Sequence, residues 1–224
     1  MLRKTNLKPI IASSILLFSA NTFAAINLNG SIGKALVPEN NNLSSGKFSF
    51  EGKAAANLSA IYSLDKLKFG VDASAFDGSS SVYSGTIGFE LLDGLTAKIG
   101  YQGADNDSNS AFGKGNLYGI DYVHKNFNIG ITYGDFDENS NGFVCEEYGV
   151  LFGMGDISLH ALKSYYDNPS DVEDSVMKYE ISYAHKINEN LSIHPTIYYA
   201  ESMDNSSSTT SNETGFIGSI NYKF

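Results

Sequence analysis

GFIGSINYKF, residues 215–224, alternates as Phe216, Gly218, Ile220, Tyr222 and Phe224 against Gly215, Ile217, Ser219, Asn221 and Lys223. A period of two places successive side chains on opposite faces of a strand, so one face of this segment suits hydrocarbon and the other suits water. The same pattern recurs upstream. Leu67, Phe69, Val71, Ala73 and Ala75 share one parity, as do Tyr83, Gly85, Ile87, Phe89 and Leu91. Phe127, Ile129, Ile131 and Tyr133 repeat it, and so do Met177, Tyr179, Ile181 and Tyr183.

Turn-like tetrads punctuate these stretches at Ser63 to Lys66, Leu92 to Gly94, His124 to Asn126, Gly153 to Asp156 and Ile187 to Asn190. Their spacing of about 30 residues fits one hairpin of two membrane-length strands, a tight turn and a longer loop. Helical repeats are disfavoured because the apolar residues do not recur at three and four. The alternation predicts an all-β, transmembrane antiparallel β-barrel of about 12 strands, with ten or fourteen also open to the pattern. The strands fall near 26–36, 47–62, 67–76, 82–91, 95–101, 112–123, 127–134, 146–152, 157–166, 176–186, 191–200 and 215–224. A soluble β-sandwich would alternate too. Tyr and Phe clustered at strand ends, where an interfacial girdle would lie, favour the barrel.

Residues 1–24 read as a signal peptide, with Arg3, Lys4 and Lys8 ahead of an apolar run from Ile10 to Ala20 and small residues at Thr22 and Ala24. Such a run is too short to cross a bilayer as a helix. Cleavage after Ala24 would leave an outer-membrane β-barrel domain over 25–224, and no segment there approaches the roughly 20 apolar residues of a membrane helix. The one cysteine, Cys145, cannot staple its own chain, and Glu146 and Glu147 beside it make it a poor nucleophile.

The formal charge is −10, and beyond residue 24 there are 12 lysines, 25 acids and no arginine, for a charge of −13. Nucleic acid is an improbable partner, since phosphate contacts need clustered Lys and Arg. The expected external segments, 37–46, 77–81, 102–111, 135–145, 167–175 and 201–214, hold acids and no lysine. The short turns instead include Lys66, Lys125 and Lys186. An anionic rim would attract cations and hold divalent ions bridging to lipopolysaccharide phosphates. Asp105, Asp107 and Asn109, and Asp135, Asp137 and Asn139, have calcium-loop spacing but lack the glycine and glutamate that complete such a loop. They read as solvated loops, and no metal or cofactor is expected.

On the inward parity lie mostly small polar residues, among which charges of both signs recur: Glu51, Lys53, Lys68, Asp72, Glu90, Lys98, Asp121, Lys178 and Glu180. These are the candidate pore-lining residues, able to form either a constriction or a salt-bridged plug. Barrel diameter grows with strand number, and twelve strands lined by small residues should leave water inside.

The last strand, with Phe216, Ile220, Tyr222 and the terminal Phe224, resembles the assembly signal of bacterial outer-membrane barrels. Glu90 to Gly103 (ELLDGLTAKIGYQG) and Asp121 to Gly134 (DYVHKNFNIGITYG) resemble the strand, turn, strand units of Gram-negative porins. The resemblance implies an outer-membrane location, contacts with membrane lipid, lipopolysaccharide and the barrel assembly machinery, and passive diffusion of small hydrophilic solutes or ions. Trimers occur among similar porins, so a homo-oligomer is possible. General porins set acids of an inward third loop against arginines, and twelve-stranded porins for acidic sugars resemble an arginine-tracked path. With no arginine beyond Arg3, this sequence departs from both. It points instead to a cation-preferring channel, and the rival is a plugged barrel that binds through its external loops. An enzyme is not expected, because no outward histidine has a serine partner and the rim has no histidine.

Overall fold

In a computed structural model the described residues are 25–42, 47–76, 81–105, 114–137, 144–167, 173–204 and 209–223. The signal peptide and Phe224 lie outside them. The strands are β1 (Ala25–Asn42), β2 (Lys47–Leu64), β3 (Leu67–Phe76), β4 (Ser81–Leu92), β5 (Leu95–Asp105), β6 (Gly115–His124) and β7 (Phe127–Phe136). They continue as β8 (Val144–Met154), β9 (Ile157–Asp167), β10 (Glu173–Tyr183), β11 (His185–Lys186), β12 (Leu191–Asp204) and β13 (Thr209–Lys223).

Each strand pairs antiparallel with its neighbours in sequence, and β1 pairs with β13 to close the wall. β10 and β11 face the same strand, β12, in one unbroken register, so they are two parts of one stave. The interruption at Ala184 lies opposite His194 and beside Pro195, which has no N–H to give the ladder. The barrel therefore has twelve staves. Tight turns follow at Asp65–Lys66, Asp93–Gly94, Lys125–Asn126 and Gly155–Asp156, where Asp65, Gly94, Lys125 and Gly155 take the positive φ that two-residue hairpin turns demand.

The predicted alternation is realised as an inside and an outside. Leu58, Val71, Ile87, Ile99, Ile131 and Ile197 face outward and are exposed, as are Phe216, Ile220 and Tyr222 of the last strand. Such an apolar belt is stable only against lipid. Aromatic rows edge it on both sides. Tyr118, Tyr133, Tyr148 and Tyr165 stack from strand to strand at 5.1–6.0 Å toward one rim. Tyr62 with Phe69 at 6.3 Å, Tyr122 with Phe127 at 6.4 Å and Phe127 with Phe152 at 5.4 Å do so near the tight turns. With no Trp, these rings form the girdle that anchors a barrel at the membrane interface.

The strands run farther toward the long loops than alternation predicts. Glu39, Asp105, Asp135, Asp167, Glu173, Asp174, Glu201, Asp204 and Glu213, expected in external loops, belong to strands. Polar residues above the lipid-facing belt end the hydrophobic signal without ending the backbone ladder. Asp137 lies just past β7, while Asp77, Asp107, Glu138 and Asp171 fall outside the described residues.

Candidate functional site: the lumen

The inward parity collects the candidate charges on two stretches of wall. On β2 to β6, Lys68 donates to Thr96 Oγ1 at 3.1 Å and lies 3.8 Å from Glu90, whose other oxygen accepts from the Gly94 N–H at 3.3 Å. Lys98 forms an ion pair with Asp121. Asp72 accepts from the Asn57 side-chain amide, which also donates to Ser74 at 2.7 Å. On β9 to β13, Lys178 and His160 hold Glu180 at 3.3 and 3.1 Å, and Tyr198 donates to Glu213 at 2.6 Å. Each described inward lysine thus faces a carboxylate.

Most of these side chains are shielded, with Lys68, Asp72, Lys98 and Asp121 all under a tenth exposed. The register explains how long charged chains fit against a wall without spanning the lumen. Lys98 stands opposite Gly88 on one side and Gly119 on the other, and Asp121 stands opposite Gly130. A Cβ on Gly119 would sit 3.1 Å from Lys98 Cε, and one on Gly130 would sit 2.7 Å from the Asp121 carboxylate. Absent side chains form troughs along the sheet, and the charges lie flat in them beside their partners. Desolvated in this way, an ion pair is held by its geometry, and loss of one member leaves an uncompensated charge.

The structure brings together Lys68 with Glu90, Lys98 with Asp121, and Lys178 with Glu180, all named from the sequence. Glu51 and Lys53 belong to β2, but their side chains lie outside the described ones. Parity also missed several members. Asn57 and Thr96 were legible as inward but carry no charge to single them out. Glu147, which accepts from Ser164 at 3.4 Å, lies within the expected strand 146–152 without having been singled out, and Glu213 was hidden because the last strand begins at Thr209 and not at 215. Phe136, Leu151, Leu162 and Val176 also face inward and are buried, so the β7–β10 side of the lumen is partly apolar rather than uniformly small and polar. Among the described residues no three His, Cys, Asp or Glu side chains gather to hold a metal.

No protein-family model and no curated protein matches the chain. Solved structures do. The KdgM porin aligns with a TM-score of 0.51 at 10% identity, over 88% of this chain and 99% of its own. It is also known in complex with disordered oligogalacturonate. The NanC porin aligns with a TM-score of 0.50 at 11% identity, over 89% and 100% of the two chains. An outer-membrane channel from Pseudomonas putida F1 aligns with a TM-score of 0.52 at 10% identity, over 95% and 99%. At such identities the likeness is one of fold, and the chain has the fold of small outer-membrane porins, a closed twelve-stave antiparallel barrel.

Proposed function

We propose that this protein is an outer-membrane channel through which small hydrophilic solutes diffuse passively, with a preference for cations. One observation carries the preference. The described inward lysines, Lys68, Lys98 and Lys178, are each set against a carboxylate, whereas Asp72 and Glu213 are held by neutral donors, Asn57 and Tyr198. Among the described side chains the lumenal charge that lysine does not offset is therefore negative, and a field of that sign raises the local cation concentration. Acidic oligosaccharides of the kind found with the KdgM porin fit this lumen poorly, since each described inward lysine is already set against a carboxylate.

The test is single-channel conductance of residues 25–224 in a planar bilayer under a potassium chloride gradient. Discrete steps with a cation-favouring reversal potential support the reading. Anion-favouring steps keep the channel and overturn the charge argument. A second reading, a filled barrel that presents its loops to lipopolysaccharide, host surfaces or phage, is favoured by the shielding of Lys68, Asp72 and Asp121 from water. Silence from folded barrels would select it.

A further inference from the structure

The charged cluster on β9 and β10 is more open than the pairs lying in the glycine troughs. Lys98 and Asp121 keep 7% and 8% of their side chains exposed, whereas His160, Lys178 and Glu180 keep 14%, 15% and 17%. A solute in the lumen meets this cluster more readily. Its surroundings also leave it room. His160 stands opposite Leu151 on β8, and Gly149 and Gly153 flank Leu151 on the same inward parity. In a ring of twelve staves the third, β3, faces the ninth, β9, across the lumen. Gly70 lies three residues up from Leu67, and His160 three up from Ile157, so the two sit at matching heights above the tight turns. Gly70 sends no side chain toward the ring.

The hydrogen bonds of His160 suit either charge state. Nδ1 donates to Glu180 Oε2 at 3.1 Å, and it carries a proton in both the imidazolium and this neutral tautomer. The lone pair of the neutral ring is then on Nε2, which makes no hydrogen bond that protonation would break. Histidine is the side chain whose charge ordinarily changes between pH 5 and 8.

The net charge of the cluster depends on this ring. Lys178 and Glu180 lie 3.3 Å apart and cancel, so a neutral His160 leaves the cluster at zero and a protonated one leaves it positive. The groups facing His160 do not cancel that charge further. On β8 they are Leu151, Gly149 and Gly153, on its own strand Ser158 and Leu162, and on β10 Ser182 and Lys178 flank Glu180. Beyond β10, Tyr198 stands opposite Glu180 and is bonded to Glu213. Across the lumen Lys68 and Asp72 flank Gly70, and Glu90 lies 3.8 Å from Lys68.

We propose that His160 is a specificity-determining residue of the lumen. Neutral, it leaves the acidic excess free to favour cations; protonated, it offsets part of that excess and weakens the preference in acid. The assignment rests on the channel reading.

The test is the reversal potential of residues 25–224 in a planar bilayer under a potassium chloride gradient, at pH 8 and at pH 5. The potassium-to-chloride permeability ratio of the native barrel should fall about fivefold, the effect of one unit charge met at roughly 4 Å in water. His160→Gln should lose that fall, and His160→Lys should show at pH 8 the lower ratio that the native barrel shows at pH 5. If His160→Gln does not fold, His160→Asn, whose amide can also donate to Glu180, takes its place. The second inward histidine, His194, bonds Ser192 at 2.8 Å and is compared through His194→Gln. A native ratio unchanged by pH overturns the assignment and leaves the channel standing. So does a fall that survives in the neutral His160 variant, which would belong to His194 or to the carboxylates. Silence from folded native barrels overturns the channel reading itself, and the role of His160 in selectivity with it.

Discussion

The Lys98–Asp121 pair gives the most direct reading of how dry the lumen wall is. Both side chains are less than a tenth exposed, so solvent screening is weak. Removing one member by Asp121→Leu or Lys98→Met leaves the other charge in its glycine trough, at a cost of about 3–5 kcal/mol. At about 1.4 kcal/mol per tenfold, even the lower figure moves the folded-to-unfolded ratio more than a hundredfold. The double variant Lys98→Met with Asp121→Leu removes both charges and should return to within about 1 kcal/mol of the native protein. The chain has no Trp, so unfolding in lipid vesicles is best followed by far-ultraviolet circular dichroism against denaturant. A double-mutant cycle with strong coupling supports the shielded pair. Single variants costing under about 1 kcal/mol, or additive effects, would place the pair in bulk-like water and refute the trough argument.

Asp72→Asn should lower the cation-to-anion permeability ratio by roughly fivefold, the weight of about 1 kcal/mol for a charge met at close range in water, read as a reversal-potential shift. Gly130→Leu should displace the Asp121 carboxylate, which lies 2.7 Å from where a Cβ would be. A fall in both stability and single-channel conductance is the expected signature. Ile131→Arg, on the outward face at 59% exposure, should destabilise the bilayer-inserted barrel by about 2–4 kcal/mol while leaving ion preference unchanged. Phe224→Ser should reduce the surface yield of assembled barrel, measured by protease shaving of intact cells, and normal yield would count against the assembly-signal reading.

Alternation is a local property, and it was sufficient for the architecture. A one-residue slip would turn every side chain to the wrong face, so Leu67 to Ala75 and Tyr83 to Leu91 settle the inside and the outside of their strands without any partner. The tight turns at Asp65–Lys66 and Asp93–Gly94 were legible for the same reason, since their chemistry lies in two adjacent residues. Inward parity likewise found Lys68, Asp72, Glu90, Lys98, Asp121, Lys178 and Glu180. It could not say which acid meets which lysine, because pairing depends on the stagger between strands far apart in sequence.

Register alone set Gly119 beside Lys98 and Gly130 beside Asp121, turning scattered glycines into troughs. Strand ends were misplaced wherever polar residues such as Glu201 or Glu213 carried the ladder above the lipid belt, since backbone pairing there no longer needs an apolar face. Alternation alone specified a barrel with an apolar outside and a largely polar inside, because lipid on one side and water on the other impose a period of two on every strand. The ion pairs, the closure of β1 on β13 and the apolar patch of Phe136, Leu151, Leu162 and Val176 came only with the closed sheet, because each depends on which distant residues it brings side by side.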